Sequence, residues 1–187
     1  MTATRFVLVR HGESALARER RYAGHLDPPL TPEGRAQVRR LGPRFARLGV
    51  RRIFSSDLLR CRETAALLAG DAEVVETPEL RELGFGRWEG LTADECARRD
   101  PETYARWLSD PWRVAPPGGE PLDRLAARVR RVLDRLAALH PGSTVALVTH
   151  AGPIRVVLAR DPEDFWAPDV PVASLWMCRW PAEGTRR

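Results

Sequence analysis

The sequence predicts an α/β domain in which a mainly parallel central sheet is covered by helices on both faces, giving three layers. Several short apolar runs lack the polar alternation of a half-exposed strand, which is typical of strands buried on both faces. Segments with apolar residues at helical spacing separate these runs, as in parallel α/β folds. A chain of 187 residues, 43% of them hydrophobic, is long enough for one such core, so we expect a single domain over residues 1–187.

The strands are predicted from apolar runs that end at turn-forming or polar residues. The clearest is the Phe-Val-Leu-Val run that begins at Phe6. The predicted strands cover residues 6–9, 50–54, 73–75, 144–148 and 172–180.

Helix starts are marked by capping residues. Thr31 suits an N-cap and Pro32 suits the first helical position, so a helix begins there. Pro43 lies inside the same apolar pattern and predicts a kink or an early end. Asp57 is expected to cap the next helix, which runs to about Ala69.

The strongest helical pattern follows Pro121. Leucine and valine recur at helical spacing on one face from Leu122 onward, and arginines occupy the other face, which we expect to be solvated. These arginines are Arg124, Arg128, Arg131 and Arg135. Further helical segments are predicted at residues 92–108, interrupted near residue 100, and at residues 153–159.

The basic residues restrict the possible chemistry. All 30 are arginine, and the chain has neither lysine nor asparagine. P-loop, Schiff-base and pyridoxal enzymes are therefore excluded, as are proteases with a Cys-His-Asn triad. An anion that this protein holds by a cationic side chain is held by arginine or histidine. The net charge of +5 suits phosphorylated ligands, nucleic acid or a membrane surface.

The cysteines and the apolar runs indicate the expected cellular compartment and whether a membrane span is expected. The three cysteines are widely spaced and odd in number, which predicts neither a disulfide framework nor a metal site and favours the reducing cytoplasm. No apolar run approaches the ~20 residues of a membrane span, and the N-terminal segment does not resemble a signal peptide. We therefore expect no membrane partner.

Two histidines follow predicted strands. His11 comes directly after the first strand and His150 after the strand near residue 148. Because ligands of parallel sheets bind beyond the carboxyl ends of the strands, neighbouring strands would bring both imidazoles to one crevice. Gly12 and Gly152 lie close behind the histidines and would allow close approach of the backbone to a ligand.

Two arginines are expected at the same crevice. Arg60 falls in the first turn of a predicted helix, where the free backbone N–H groups also attract anions, and Arg10 precedes His11. A guanidinium group presents a planar fork that matches two phosphate oxygens. These arginines and the two histidines together predict a phosphate pocket.

These residues belong to a longer series of motifs that resembles the histidine phosphatase superfamily, the phosphoglycerate-mutase-like fold. The series follows the order of that family over about residues 5–160. It comprises Arg-His-Gly-Glu-Ser from Arg10, Pro-Leu-Thr-Pro-Glu-Gly from Pro29, Ser-Ser-Asp-Leu-Leu-Arg from Ser55, Leu-Arg-Glu-Leu-Gly from Leu80, Pro-Gly-Gly-Glu from Pro117, and Val-Thr-His-Ala-Gly from Val148.

The resemblance implies a role for each matched residue. His11 would be the nucleophile that takes the phosphoryl group, while Arg10, Arg60 and His150 would hold its oxygens. Glu82 would protonate the leaving oxygen and then activate water. Neutral imidazole suits the first role because it is a good nucleophile near pH 7. No metal and no cofactor is implied.

The surrounding residues are expected to contact the substrate. Gly12, Gly24, His25 and Gly152 are the predicted contacts, and His25 is placed at the mouth of the pocket. The family usually has asparagine at the position of Ala17 and often a hydroxyl residue at that of Ala23, so polar contacts near the phosphate are missing here. The sequence leaves open whether the tryptophans belong to the core or to the rim of the pocket.

The predicted function is hydrolysis of a small phosphomonoester through a phosphohistidine. The segments at residues 22–25 and 116–120 look most similar to α-ribazole phosphatases of cobalamin synthesis or to broad phosphomonoesterases. A phosphoglycerate mutase or a fructose-2,6-bisphosphatase-like enzyme is the alternative, and a non-catalytic scaffold and a nucleic-acid binder rank lower. We expect a small phosphorylated metabolite and no nucleic acid as partner, and a monomer or homodimer.

Overall fold

The computed structural model describes residues 2–159 and 161–180. The strands are β1 (Thr4–Arg10), β2 (Arg52–Ser55), β3 (Glu73–Glu76), β4 (Thr144–Thr149) and β5 (Leu175–Trp180). The α-helices are α1 (Ala15–Arg18), α2 (Pro32–Ala46), α3 (Leu59–Leu68), α4 (Ala93–Arg99), α5 (Pro101–Ser109), α6 (Leu122–Leu139) and α7 (Ala151–Leu158). Short 3-10 turns cover Pro78–Leu80, Gly86–Trp88 and Pro162–Trp166.

The five strands form one sheet in the order β3-β2-β4-β1-β5. Every pairing is parallel except that of β5, which runs antiparallel to β1 at the edge. The predicted mainly parallel sheet is therefore confirmed. The predicted last strand begins three residues too early, because Ala173 has a positive φ of 52° and donates its N–H to the carbonyl of His11 instead of pairing in the ladder.

Helices cover both faces of the sheet, which confirms the three-layer fold. Alternate strand residues point to opposite faces, so Phe6 and Leu8 enter one core while Val7 and Val9 enter the other. The first core contains the apolar face of α6, and the second contains residues of α2 and α3. Strands β1 and β4 are buried on both faces of the sheet, as their apolar sequences predict.

The early end that Pro43 allows and the helix cap expected at Asp57 are both wrong. Helix α2 continues past Pro43 to Ala46, because the carbonyl that loses its partner belongs to Arg39, which is exposed to water. Asp57 does not cap α3, whose N-cap position is Leu58 without a side-chain hydrogen bond. The Asp57 carboxylate instead pairs with the guanidinium group of Arg81.

The predicted interruption near residue 100 is confirmed. Helix α4 ends at Arg99 and α5 begins at Pro101, where proline suits the first helical position. Thr92 and Glu95 form a capping box at the start of α4. Of the helices in residues 2–159 and 161–180, none combines the length and the apolar character needed to cross a membrane.

The loop after β1 packs backbone to backbone against the start of α2. A Cβ atom at Gly12 would lie 2.5 Å from the carbonyl oxygen of Gly34, and one at Gly34 would lie 2.1 Å from that of Glu13. Neither position therefore has room for a side chain. This contact fixes the loop that carries His11.

Because the obstructing atoms are backbone, Gly34→Ala is expected to lower the free energy of unfolding by about 1–3 kcal/mol. Arg39→Ala introduces the same residue on the exposed face of the same helix and is expected to change it by less than about 0.5 kcal/mol. Urea unfolding of both variants measures the difference, and equal stabilities would contradict the close contact.

Candidate functional site

The parallel pairing of β1 with β4 brings the two predicted histidines together. Arg10 pairs with Thr149 at the carboxyl ends of these strands, and the backbone N–H of His11 donates to the carbonyl of Thr149 at 3.1 Å. The ring centroids of His11 and His150 lie 5.0 Å apart at an interplanar angle of 64°. The expected crevice with two imidazoles is therefore present.

The ring of His11 is held in one tautomer. Its Nδ1 lies 2.7 Å from the carbonyl oxygen of Gly12, and because a carbonyl only accepts, Nδ1 carries the proton. The lone pair then lies on Nε2. Burial lowers the pKa of His11 well below its usual 6.5, and the charges of Arg60 and Arg10 lower it further. The imidazole is therefore neutral at pH 7, as a nucleophile requires.

His150 is fully buried beside it. Its Nε2 lies 2.9 Å from Oγ of Ser56 and 3.4 Å from Sγ of Cys61, both in the segment that follows β2. Burial again lowers the pKa well below 6.5, with Arg60 as the next largest cause. Both imidazoles are thus neutral in the folded protein near pH 7, because burial and the two neighbouring guanidinium groups both disfavour the protonated form.

Arg60 is fully buried and Arg10 is half-buried, and backbone carbonyl groups anchor both side chains. Arg60 donates from Nη1 to Leu26 at 2.7 Å and from Nη2 to Gly24 at 2.8 Å, and Arg10 donates from Nη1 to Val170. Within the described residues, the Nε atoms of both side chains are buried and have no hydrogen-bond partner. An unpaired buried donor is costly, and both arginines that carry these donors line the cavity of the site.

Glu82 is fixed at the start of α7. Its Oε1 accepts from the backbone N–H groups of Leu83 at 2.9 Å and Gly152 at 3.0 Å. A Cβ atom at Gly152 would lie 2.2 Å from Oε1, so this glycine leaves room for the carboxyl group. Glu82 and Gly152 are both predicted site residues, and both line the cavity of the site.

Arg128 corrects one expectation. It was predicted on a solvated helix face, yet its side chain is only 14% exposed. It forms a two-bond pair with Glu120 at 2.8 Å and donates to the carbonyl groups of Glu79, Arg81 and Glu82 at 2.6–2.8 Å. Arg128 therefore holds the loop that carries Glu82, and no helical pattern in the sequence marks it as different from its neighbours.

The site opens into a cavity of about 250 Å³. Four of the five predicted catalytic residues line it, namely Arg10, His11, Arg60 and Glu82, whereas the fully buried His150 does not. Ala17 and Ala23, where the family usually has polar residues, also line it. The other lining residues are Ser14, Arg21, Tyr22, Leu83, Phe85, Trp107, Ala151, Gly152, Arg155, Phe165 and Trp166.

Three predicted substrate contacts lie outside this lining. The carbonyl of Gly12 orients His11, and the carbonyl of Gly24, which has a φ of +48°, anchors Arg60. His25 is exposed and its Nε2 lies 3.0 Å from the carbonyl oxygen of Glu82. Gly12 and Gly24 thus hold His11 and Arg60 through their carbonyl groups, and direct contact of Gly12, Gly24 and His25 with a substrate stays a prediction.

The sequence leaves open whether the tryptophans belong to the core or to the pocket, and the structure places Trp107 and Trp166 in the lining together with three further aromatic residues. Tyr22 stacks on Phe85 at 4.5 Å, Phe85 meets Trp107 at 6.0 Å, Trp107 meets Trp166 at 5.3 Å, and Trp166 meets Phe165 at 4.8 Å between ring centroids. We call this series the aromatic wall. Its members come from four separate segments, so local spacing carries no signal for it.

The buried neutral histidines predict a pH-dependent stability. Below pH 6.5 the unfolded chain binds protons at His11 and His150 while the folded protein does not, so stability present above pH 6.5 is lost as the pH falls toward the lowered pKa values. Each imidazole contributes up to about 1.4 kcal/mol per pH unit. The double variant His11→Gln/His150→Gln should lose this slope in urea unfolding between pH 7 and pH 5, and an unchanged slope would contradict the burial of neutral imidazoles.

Comparison with known proteins identifies the family. The model of the histidine phosphatase superfamily (branch 1) matches residues 6–186. A bifunctional protein of Mycobacterium tuberculosis is 43% identical over 160 residues, which are 84% of this chain and 44% of that protein, so the chain spans less than half of this relative. The adenosylcobalamin/alpha-ribazole phosphatase of Salmonella typhimurium is 33% identical over 177 residues, covering 94% of this chain and 85% of that protein.

A solved structure agrees with this family. YhfR of Bacillus stearothermophilus superposes with a TM-score of 0.86 at 31% sequence identity, over 94% of this chain and 90% of that one. The match with the family model extends over nearly all of the described residues and includes the segments that carry both histidines. The chain belongs to the histidine phosphatase superfamily.

Proposed function

We propose that the protein is a metal-independent phosphatase that hydrolyses a small phosphomonoester through a phosphohistidine on His11. Phosphatase activity itself is supported by the family and by relatives that are named phosphatases. One observation supports the phosphohistidine mechanism. The neutral imidazole of His11, with its free Nε2, lies in the same site as Arg10 and Arg60, whose Nε atoms have no hydrogen-bond partner among the described residues.

In the first step, Nε2 of His11 forms a bond to phosphorus while the bond between phosphorus and the leaving oxygen breaks. The leaving oxygen takes a proton from the carboxyl group of Glu82, which Gly152 and Leu83 hold at the cavity. The guanidinium groups of Arg10 and Arg60 stabilise the charge on the transferred group, since their Nε donors have no other partner among the described residues.

In the second step, a water molecule attacks phosphorus and gives its proton to the Glu82 carboxylate. The bond between phosphorus and Nε2 breaks, inorganic phosphate leaves, and His11 returns to its neutral form. His150 lies against His11 and contributes a second imidazole near the phosphoryl group. Because the arginines supply the positive charge, we expect turnover to persist in EDTA.

The candidate substrate is α-ribazole phosphate. The similarity to the Salmonella typhimurium phosphatase over 94% of this chain supports it. A mutase would need further groups to hold a phosphorylated acid, whereas Arg21 in the lining is paired with Glu19 and Glu95, and a large share of the remaining lining is aromatic or alanine. We propose a single catalytic domain over residues 1–187 that acts in the cytoplasm, where its free cysteines would stay reduced.

The covalent intermediate gives the first test. Brief mixing with ³²P-labelled p-nitrophenyl phosphate and an alkaline quench is expected to leave label on His11, stable in base and lost in acid, as a phosphohistidine requires. His11→Ala should abolish both label and turnover, whereas His140→Ala, at the end of α6, should keep both. A His11→Ala protein with full turnover would falsify the proposal.

The planar guanidinium group of Arg60 gives the second test of the proposed function. Lysine keeps the charge but cannot hold the carbonyl groups of Leu26 and Gly24 and also donate to a phosphoryl oxygen. Arg60→Lys is therefore expected to lower kcat/KM by about 100-fold. Arg62→Lys, two residues further along α3 and half-exposed, is the matched control and should change kcat/KM by less than about twofold. Similar losses in the two variants would contradict the assigned geometry.

A further inference from the structure

Glu89 carries a carboxylate that the proposed mechanism does not use. It follows the 3-10 turn Gly86–Trp88 and is not among the residues that line the cavity of the site. Its Oε1 accepts two backbone N–H groups, that of His25 at 3.0 Å and that of Phe85 at 3.1 Å. Among the described residues, no cationic side chain pairs with this carboxylate. One oxygen atom therefore joins two loops that are far apart in the chain.

The first of these loops holds Arg60. The carbonyl groups of Gly24 and Leu26 accept hydrogen bonds from the guanidinium group, at 2.8 Å and 2.7 Å. The N–H that Glu89 binds belongs to His25, which lies between these two residues in the chain. Because the bound N–H and the two carbonyl groups share one short stretch of backbone, a shift of this loop would also shift the guanidinium group.

Gly24 shows how closely Glu89 packs against the first loop. A Cβ atom at Gly24 would lie 2.1 Å from Oε1 of Glu89, and the residue has a φ of +48°. Glycine adopts this conformation without strain and leaves room for the carboxylate. The carboxylate therefore lies directly on the backbone of the loop.

The backbone on either side of Glu89 is fixed. Trp88 is fully buried and its Nε1 donates to Asp100 at 2.8 Å. The N–H of Gly90 donates to the carbonyl of Tyr22, also at 2.8 Å. The carboxylate thus extends from a rigid part of the chain, as a group that positions others must do.

The second loop carries Glu82. Its Oε1 accepts the N–H of Leu83, and Phe85, whose N–H Glu89 binds, follows two residues later. His25 supplies a second link between the loops, since its Nε2 lies 3.0 Å from the carbonyl oxygen of Glu82. Because a carbonyl only accepts, this Nε2 carries the proton. The two loops are therefore joined at two points.

We propose that Glu89 is a positioning residue for phosphoryl transfer, which holds Arg60 and Glu82 at the correct distance from each other. The inference rests on the proposed phosphatase function, in which the guanidinium group stabilises the transferred phosphoryl group and the carboxyl group serves the leaving oxygen. These two groups act on different oxygens of one phosphate ester, so their separation must match its size. A misplacement of about 1 Å lowers a rate by on the order of 100-fold.

Three substitutions test Glu89. Glu89→Ala removes the oxygen that both loops bind, and it should lower kcat/KM by about 10- to 100-fold. Glu89→Asp moves the oxygen back by one methylene group and should also lower kcat/KM, so it carries the test if the alanine variant does not fold. Glu89→Gln keeps an oxygen that accepts both N–H groups and should stay within about threefold of the unmodified protein. A glutamine variant as slow as the alanine variant would overturn the inference.

The choice of substrate separates positioning from a general loss of structure. Phenolate is a poorer leaving group than p-nitrophenolate, so hydrolysis of phenyl phosphate depends more strongly on protonation by Glu82. Glu89→Ala should therefore lower kcat/KM for phenyl phosphate by about tenfold more than for p-nitrophenyl phosphate. Equal losses for the two esters would overturn the inference, because a partly unfolded protein loses both activities alike.

A double-variant cycle tests the effect on Arg60. Arg60→Lys already disturbs the group that Glu89 is proposed to position. Adding Glu89→Ala to it should therefore lower kcat/KM for p-nitrophenyl phosphate by less than about threefold further. Losses that multiply in the double variant would indicate independent sites and overturn the inference.

Thr4→Val is the matched control for stability. Thr4 is 1% exposed at the start of β1, at the end of the sheet away from the site, and its Oγ1 donates to the carbonyl of His140 at 2.8 Å. Like Glu89→Ala, this change leaves a backbone group without its side-chain partner, so both variants should have a lower urea midpoint. Thr4→Val should keep kcat/KM for both esters, and equal kinetic losses in the two variants would overturn the inference.

Calorimetric binding of inorganic phosphate keeps this inference separate from the proposed function. Binding needs no turnover, and Glu89→Ala should weaken it by about tenfold whereas Glu89→Gln should not. A protein that hydrolyses neither ester but shows this pattern of binding contradicts the proposed function alone. A protein that hydrolyses both esters, with kcat/KM and phosphate affinity unchanged in Glu89→Ala, contradicts the role of Glu89 alone.

Discussion

The parallel pairing of β1 with β4 is the interaction on which the site depends. It joins Arg10 to Thr149 at the carboxyl ends of the two central strands, and the next residue of each strand is a histidine. A shift of this register by one residue would turn the side chains at the strand ends to opposite faces of the sheet. The apolar sequences of both strands, buried on both faces, oppose such a shift because they fill two cores at once. The distance between His11 and His150 is therefore a consequence of core packing.

His11 and His150 lie near the positive charges of Arg10 and Arg60, an arrangement that suits a bound anion. The guanidinium groups of Arg10 and Arg60 donate to neutral carbonyl groups and form no direct ion pair among the described residues. The same charges, together with burial, keep both imidazoles neutral. Glu82 is the carboxyl group in the cavity lining, and backbone N–H groups hold it. The arrangement costs stability in the empty protein, through unpaired donors and buried charge, and a phosphoryl group would relieve that cost.

The sequence predicts the sheet, most helices and the meeting of Arg10, His11, Arg60 and His150, because strand ends, caps and motif order are local features. Glu82 was identified only through family resemblance, since a carboxyl residue in a loop has no distinctive spacing of its own. Arg128 was assigned to solvent because helical spacing cannot separate an exposed arginine from one that holds a loop from a distant part of the chain. The position of the tryptophans stays open in the sequence for the same reason, because Tyr22 and Trp107 meet Phe85 only in three dimensions.

The central claim is that the unpaired donors of Arg10 and Arg60 and the free Nε2 of His11 form one receptor for a phosphoryl group. A crystal structure with bound vanadate, which can adopt the geometry of a phosphoryl group under attack, tests this most directly. We expect vanadium to be bonded to Nε2 of His11, with oxygens within about 3 Å of the Nε atoms of Arg10 and Arg60. Vanadate bound elsewhere, or bound here with both Nε atoms still unpaired, would contradict it.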